Sequence, residues 1–230
     1  MAWLFEAKKR FGLTVFDYAV TSNHIHLLLE DPGGDAIPKS MQLIAGRVAQ
    51  QYNQRKKRKG AFWEDRYHAT AIERGEHLMR CMVYIDLNMV RAGVIQNPSE
   101  WIYGGYNELQ KPRHKCSLIE HERVKNLTGF DSCDSFRNAH EHWVYDALMQ
   151  GGGLRDSMWT ESIAVGSKKF VEWTKEVLGI KAKGRKLVEN EKILQLRENA
   201  VPYMANFDPK NDDIGGENSY FWKDSLFFSD

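Results

Sequence analysis

The hydrophobic pattern of the first half changes period several times. "AWLFEAKKRFG" reads as a short amphipathic helix ended by Gly12. "LTVFDYAVT" and "HIHLLLED" read as β-strands joined through Thr21-Ser22-Asn23, which makes a hairpin. "DPGGDAIP" is loop by its Gly and Pro content. From Lys39 to about Lys57, Met41, Ile44, Ala45, Val48 and Tyr52 fall at helical spacing, with Gly60 beyond the end. "RYHATAIE" predicts a third strand, and "GEHLMRCMVYIDLNMVRAG" a second long helix stopped by Gly93. "NPSEW" and "YGGY" are turns. The order is helix, two strands, helix, strand, helix.

The second half carries less signal. "HKCSLIEHERVKNLTG" and "DSFRNAHEHWVYDALMQGG" predict helices with glycine stops. "TESIAVGSKKFVEWTKEVLG" predicts a helix pair turning at Gly166, a weak helix-turn-helix signal. The stretch from Asn199 onward is loop-like. No apolar run approaches the ~20 residues of a membrane span, and "MAWLFEAKKRFG" lacks a signal-peptide shape. Cys81, Cys116 and Cys133 are odd in number and scattered, so a reducing cytoplasm is expected.

Charge is uneven. Residues 1–113 carry 16 Lys+Arg against 12 Asp+Glu, or +4, and residues 114–230 carry 16 against 19, or −3. Residues 36–60 hold seven basic residues and no acid, five of them in Arg55, Lys56, Lys57, Arg58 and Lys59. Such a run suits a polyanion, and equally a solvated helix end.

Two features carry candidate chemistry. In a strand, His24 and His26 share one face, with Ile25 on the other. Two neutral imidazoles so placed can hold one divalent metal, although the same spacing also occurs in surface or internally satisfied histidines. His140 and His142 repeat the spacing on a predicted helix, where residues two apart do not face each other. On the second long helix, His77, Arg80, Tyr84, Asn88 and Arg91 form a polar stripe beside the apolar stripe of Leu78, Met82, Ile85 and Met89. That stripe faces solvent or lines a site.

"NHIHLLLE", "GAFWEDRYHATAI", "YIDLNMVRAGVI" and the aromatic turn "WIYGGY" occur here in that order. Together they resemble the single-tyrosine HUH (His-hydrophobic-His) transposases, nearest the REP-associated tyrosine branch. The resemblance covers roughly residues 1–110. It implies an α+β fold: a ferredoxin-like antiparallel sheet with helices, followed by a mainly helical C-terminal region. The expected organisation is a catalytic domain over 1–113, a helical extension over 114–198 and a loop-like tail over 199–230. The implied activity is cleavage and rejoining of single-stranded, hairpin-bearing DNA through a 5′-phosphotyrosine link. By resemblance, Tyr84 is the nucleophile, and His24, His26 and Asn88 hold Mg²⁺ or Mn²⁺. Arg55 to Lys59, Trp63, Arg66 and Arg91 are expected to contact DNA, as basic residues beside aromatics suit phosphates and unpaired bases. Trp63 fits a core anchor as well, and Arg91 a helix-end charge. The implied partners are single-stranded DNA with palindromic ends and a second copy in a homodimer.

Three departures qualify the resemblance. Met89 stands where relatives usually have proline after the asparagine, and Ser22 where proline is often found. The chain also starts inside the family's first helix, without the usual first strand, so an unpartnered sheet edge is expected. The alternatives are a nickase of the replication-initiator or relaxase kind, which often places its tyrosine differently, and a shortened DNA-binding relative without activity.

Overall fold

Gly12 makes the first turn of the chain. Its φ of 68° lies in the left-handed region, and its N–H closes onto the Lys8 carbonyl, so α1 (Ala2–Phe11) stops at the expected residue. A computed structural model describes residues 1–113, 115–151, 155–179, 186–190 and 193–197. The expected tail over 199–230 lies outside the described residues.

After α1 come β1 (Thr14–Val20) and β2 (Ile25–Glu30), an antiparallel pair as expected. Next is α2 (Ala36–Arg55). It begins before Lys39 because Pro38 sits in the first turn, where its missing N–H costs nothing. β3 (Ala71–Ile72), α3 (Glu76–Asp86) and α4 (Asn88–Arg91) follow, then α5 (Tyr106–Gln110), α6 (His121–Thr128) and α7 (Cys133–Met149). The chain continues through α8 (Met158–Glu161), β4 (Ser162–Gly166), α9 (Lys168–Leu178), β5 (Lys186–Asn190) and β6 (Ile193–Arg197).

The fold is mixed α and β, as the resemblance implies, but two expectations are corrected. The third strand over 66–73 shrinks to the two residues of β3, which pair in parallel with β4 rather than with the hairpin. Residues 68–70 instead spend their polar groups on one carbonyl: Thr70 Oγ1 and His68 Nε2 reach Ser162 O at 2.5 and 3.0 Å. The expected helix pair around Gly166 is a strand followed by one helix. "SIAVG" is a short apolar run without a decisive period, and it pairs antiparallel with β6, about 30 residues further along the chain. β3, β4, β6 and β5 thus form a second sheet, in that order.

The edge of β1 opposite β2 is covered, which corrects the expected unpartnered edge. Ala19 bridges Gly104 antiparallel, and Val15 bridges Ile119 in parallel. The ladder contacts are Val20 N to Tyr103 O at 3.0 Å, Gly105 N to Tyr18 O at 2.7 Å and Glu120 N to Val15 O at 2.9 Å. "YGGY" is therefore an edge element. A Cβ on Gly105 would overlap Asp17 Oδ1 and lie 3.1 Å from Tyr18 N, so only glycine lets the backbones meet. Glu108, buried on α5, fastens the other segment. Its Oε1 accepts from Leu118 N at 2.6 Å, Ile119 N at 2.7 Å and Ser117 Oγ at 2.9 Å, and its Oε2 from Tyr18 Oη at 3.2 Å. Lys8, in the last turn of α1, donates to the Ser117 and Leu118 carbonyls and pairs with Glu120 at 2.7 Å.

This edge packing places α3 on the hairpin. Met82 and Ile85 of α3 join Val15, Phe16 and Leu28 of the strands in one core, completed by Val124 of α6 and Phe136 of α7. Burying side chains of this size stabilises by roughly 1.5–3 kcal/mol each. The helix carrying Tyr84 is thus gripped by β1 and β2 on one side and by the C-terminal helices on another.

Candidate active site

The hairpin turn builds the first half of the site. The Thr21 hydroxyl accepts the His24 backbone N–H at 3.1 Å, and Thr21 N donates to His24 O at 3.0 Å. His24 Nδ1 lies 2.8 Å from Asn23 Oδ1. An amide oxygen only accepts, so this contact puts the ring proton on Nδ1 and leaves Nε2 with its lone pair. His24 immediately precedes β2, and His26 is its second residue. The two rings meet edge to face with centroids 4.9 Å apart.

Helix α3 brings the second half. The Tyr84 ring centroid is 6.4 Å from that of His26, within one chain. The Asn88 side chain acts on His24 as a polar neighbour that favours its protonated form. The single long helix expected up to Gly93 breaks at Leu87, between α3 and α4. Arg91 spans this break: its Nη2 donates to the Tyr84 carbonyl at 2.7 Å, and its guanidinium carbon lies 3.9 Å from the Tyr84 ring centroid. That is close cation–π geometry.

The electrostatics keep both imidazoles neutral. Burial lowers His24, helped by the positive charge of Arg155 and opposed by Asn88. Burial lowers His26 further, to about 4, with His24, Arg91 and Arg155 adding to it. Neutral imidazole is the form that binds metal. Burial raises Tyr84, while Arg91 and Arg155 pull against it. The converging donors are two imidazoles and one amide. Among the described residues no three His, Cys, Asp or Glu gather in a group able to hold a metal. A neutral set of this kind suits a divalent ion that also takes phosphate oxygens and water as ligands.

Apart from Arg91, the expected DNA contacts lie elsewhere in the chain and are differently disposed. Arg55 to Lys59 are exposed at the end of α2, and the Arg58 guanidinium carbon lies 5.7 Å from the Tyr52 ring centroid. Arg66 is exposed. Trp63 is half-buried: its Nε1–H donates to Ala45 O at 2.9 Å, and its ring meets Phe62 at 4.8 Å. It anchors the loop after α2 to that helix. His140 and His142 do point apart. His140 is fully buried with Nε2 2.9 Å from Asp86 Oδ2, and His142 lies 3.3 Å from Asp146 on the surface. Burial pushes both Asp86 and His140 toward their neutral forms.

Sequence reasoning overlooked two residues that reach the site, Trp159 and Arg155. The Trp159 ring lies 6.1 Å from that of Tyr84, and the charge of Arg155 acts on His24, His26 and Tyr84. They stand just after the glycines of "QGGGLRD", where only a helix stop was legible.

Residues 2–88 match the family model described as transposase IS200 like. Comparison with curated proteins and with solved structures gives no match. The matched segment runs through the hairpin and α3 and ends at Asn88, so it contains His24, His26, Tyr84 and Asn88 together. No helix among the described residues is long and apolar enough to cross a membrane. Over this segment, 87 of its 230 residues, the chain is similar to the IS200-like transposases.

Proposed function

We propose that the protein cleaves and rejoins single-stranded, hairpin-bearing DNA in the cytoplasm, with Tyr84 as nucleophile and with His24, His26 and Asn88 holding Mg²⁺ or Mn²⁺. The observation that carries this reading is the convergence of both imidazoles, the amide and the phenol within one chain. Tyr84 Oη attacks the scissile phosphorus. The bond from phosphorus to the 3′-oxygen breaks, leaving a 5′-phosphotyrosine on one fragment and a 3′-hydroxyl on the other. The phenol proton balances the new hydroxyl. One high-energy diester replaces another, so no nucleotide is spent, and attack by a different 3′-hydroxyl reverses the step. A phenol near its usual pKa of ~10 is a weak nucleophile at neutral pH, and burial makes this one weaker. The bound cation would supply the missing activation by polarising the phosphate.

The chain's own residues do the rest. Asn23 fixes the His24 tautomer through the outer ring nitrogen, a common device around metal-binding imidazoles. Arg91 holds Tyr84 by its carbonyl and its ring and faces the arriving phosphate. Arg55 to Lys59 and Arg66 contact phosphates away from the cut, while Trp63 supports them by fixing the loop to α2. His24, His26 and Tyr84 converge within one chain, and a homodimer would serve DNA pairing.

The test uses His24→Ala and His26→Ala proteins and single-stranded DNA copied from the flanks of the gene. Each variant should bind that DNA within about threefold of wild type, because the basic surface is unchanged, and neither should cut it with Mg²⁺ or Mn²⁺. Cutting at the wild-type rate by either variant would remove the metal assignment. Asn88→Ala should lose less, since water replaces a neutral ligand.

A further inference from the structure

Helix α7 lies beyond the family match, yet it meets α3 where that helix breaks. Leu87 ends α3 with φ −80° and ψ 6°, and α4 starts at the next residue. Tyr84 stands before the break, and Asn88 and Arg91 stand after it. In an unbroken α-helix the Tyr84 carbonyl would face the Asn88 N–H; here Arg91 Nη2 donates to it at 2.7 Å. The relative placement of these three side chains therefore depends on what holds the break. Val83 and Leu87 pack with Tyr106 of α5 and Val144 of α7, and Val90, Trp143, Ala147 and Leu148 close around them.

Two buried polar side chains sit in the same contact between α3 and α7. His140 of α7 and Asp86, the last residue of α3, are both closed off from solvent, with His140 Nε2 2.9 Å from Asp86 Oδ2. Neither atom has a hydrogen bond to any other group, so each has only the other to answer it. The ring is oriented from its far side. Gln110 Nε2 lies 3.0 Å from His140 Nδ1. An amide nitrogen only donates, so Nδ1 accepts and the ring proton sits on Nε2, toward Asp86. Phe136 stacks on the ring at 5.7 Å with planes 15° apart, and Tyr106 flanks it at 5.9 Å. A buried polar pair adds little stability over apolar side chains of the same volume. What it adds is direction, because a donor and its acceptor must face each other, whereas apolar surfaces can slide.

We propose that His140 is a positioning residue: through Asp86 it fixes the end of α3, and with it the placement of Asn88 and Arg91 against Tyr84. This rests on the function proposed above. It gives α7 a part in the reaction from behind the helix that carries the nucleophile. Misplacing reacting groups by about 1 Å through a remote substitution can cost about 10²-fold in rate.

The experiment compares the full-length wild type with His140→Gln and His140→Asn. The Gln amide nitrogen reaches the place of Nε2 and keeps the contact with Asp86. The Asn amide ends at the place of Nδ1, keeps the contact with Gln110 and leaves Asp86 alone. Val171→Ala, in the core that α9 shares with β4 and β6, shows what lost stability alone does. Each protein is melted, then assayed below its melting temperature for binding to single-stranded DNA from the gene's flanks, for cleavage at saturating DNA, and for the Mn²⁺ concentration giving half-maximal cleavage. Proteins labelled with fluorotyrosine give a fluorine NMR signal for Tyr84, assigned with Tyr84→Phe. His140→Asn should bind DNA as wild type does, cut it about 10²-fold more slowly, need more Mn²⁺, and shift or broaden the Tyr84 signal. His140→Gln and Val171→Ala should cut close to the wild-type rate with an unmoved signal. Wild-type cleavage or an unmoved Tyr84 signal in His140→Asn overturns the proposal, as does equal slowing by His140→Gln or Val171→Ala. If His140→Asn does not fold, Gln110→Leu, which releases the ring at Nδ1, takes its place and the same outcomes decide. A wild type that forms no adduct overturns the proposed function instead, and the fluorine signal still decides the role of His140.

Discussion

Glu108→Ala should be among the most damaging single substitutions in the chain outside the large apolar side chains. The wild-type carboxylate accepts four hydrogen bonds and is almost wholly buried. Ser117 Oγ has a second acceptor, the Ile119 carbonyl at 2.9 Å, so it is not stranded. Three donors are: the Leu118 and Ile119 N–H groups and the Tyr18 hydroxyl. Each buried donor left without an acceptor costs roughly 1–3 kcal/mol. Water entering the vacated volume recovers part of this, so we expect a loss of about 4 kcal/mol. Glu108→Gln is the informative partner. Its carbonyl oxygen can keep the three bonds made by Oε1, and its amide can turn a donor toward Tyr18 Oη, which then accepts. The expected cost is about 1 kcal/mol. Urea unfolding at neutral pH, followed by tryptophan fluorescence, gives both values if the m-value is unchanged. A loss below about 1 kcal/mol for the alanine variant, or equal losses for the two, would refute the view that Glu108 fastens residues 117–120 to β1.

The remaining predictions are these. Gly105→Ala should destabilise by more than about 2 kcal/mol, since the new methyl meets Asp17 and the Tyr18 backbone rather than a flexible side-chain end; thermal melting checks it, and a melt like that of wild type contradicts it. His140 is held to about 4 by burial, below the ~6.5 of an unfolded histidine. Its contribution is therefore present above pH ~6.5 and lost as pH falls through about 4. The stability gap between wild type and His140→Gln should narrow by about 3 kcal/mol between pH 7 and pH 4; a gap independent of pH would show that His140 is not held neutral. His26, also near 4, should show no imidazole titration by NMR between pH 8 and 5, and a midpoint near 6.5 would contradict its buried setting.

Legibility in the sequence follows the range of the interactions. α1, β1, β2 and α2 were readable because each is a continuous segment whose own period shows its buried face. The polar stripe carrying Tyr84, Asn88 and Arg91 was readable for the same reason, whereas the roles of its members, and of His24 and His26, came from resemblance. The edge strips at 103–105 and 119–120 were not readable. Each makes only one or two ladder bonds and has no period, and each is fixed by Gly105 or Glu108 acting across distant sequence. "SIAVG" differs from the expected helix because three apolar residues between Ser162 and Gly166 suit a strand or a helix until a partner strand decides. Arg155 and Trp159 escaped notice because their connection to Tyr84 depends on how β4 and β6 seat α8, and no local pattern encodes that.

Covalent capture by Tyr84 tests the central claim most directly. Tyr84→Phe removes one hydroxyl and keeps the ring beside Arg91, His26 and Trp159, so stability should change by no more than ~1 kcal/mol. Protein is incubated with Mn²⁺ and single-stranded DNA from the gene's flanks, labelled at either end, and run on a denaturing gel. Wild type should retain the 3′-labelled fragment, joined through its 5′-phosphate, and release the 5′-labelled fragment with a free 3′-hydroxyl; the Phe variant should retain neither. A labelled adduct with Tyr84→Phe, or wild-type protein bearing the 5′-labelled fragment, would contradict the account.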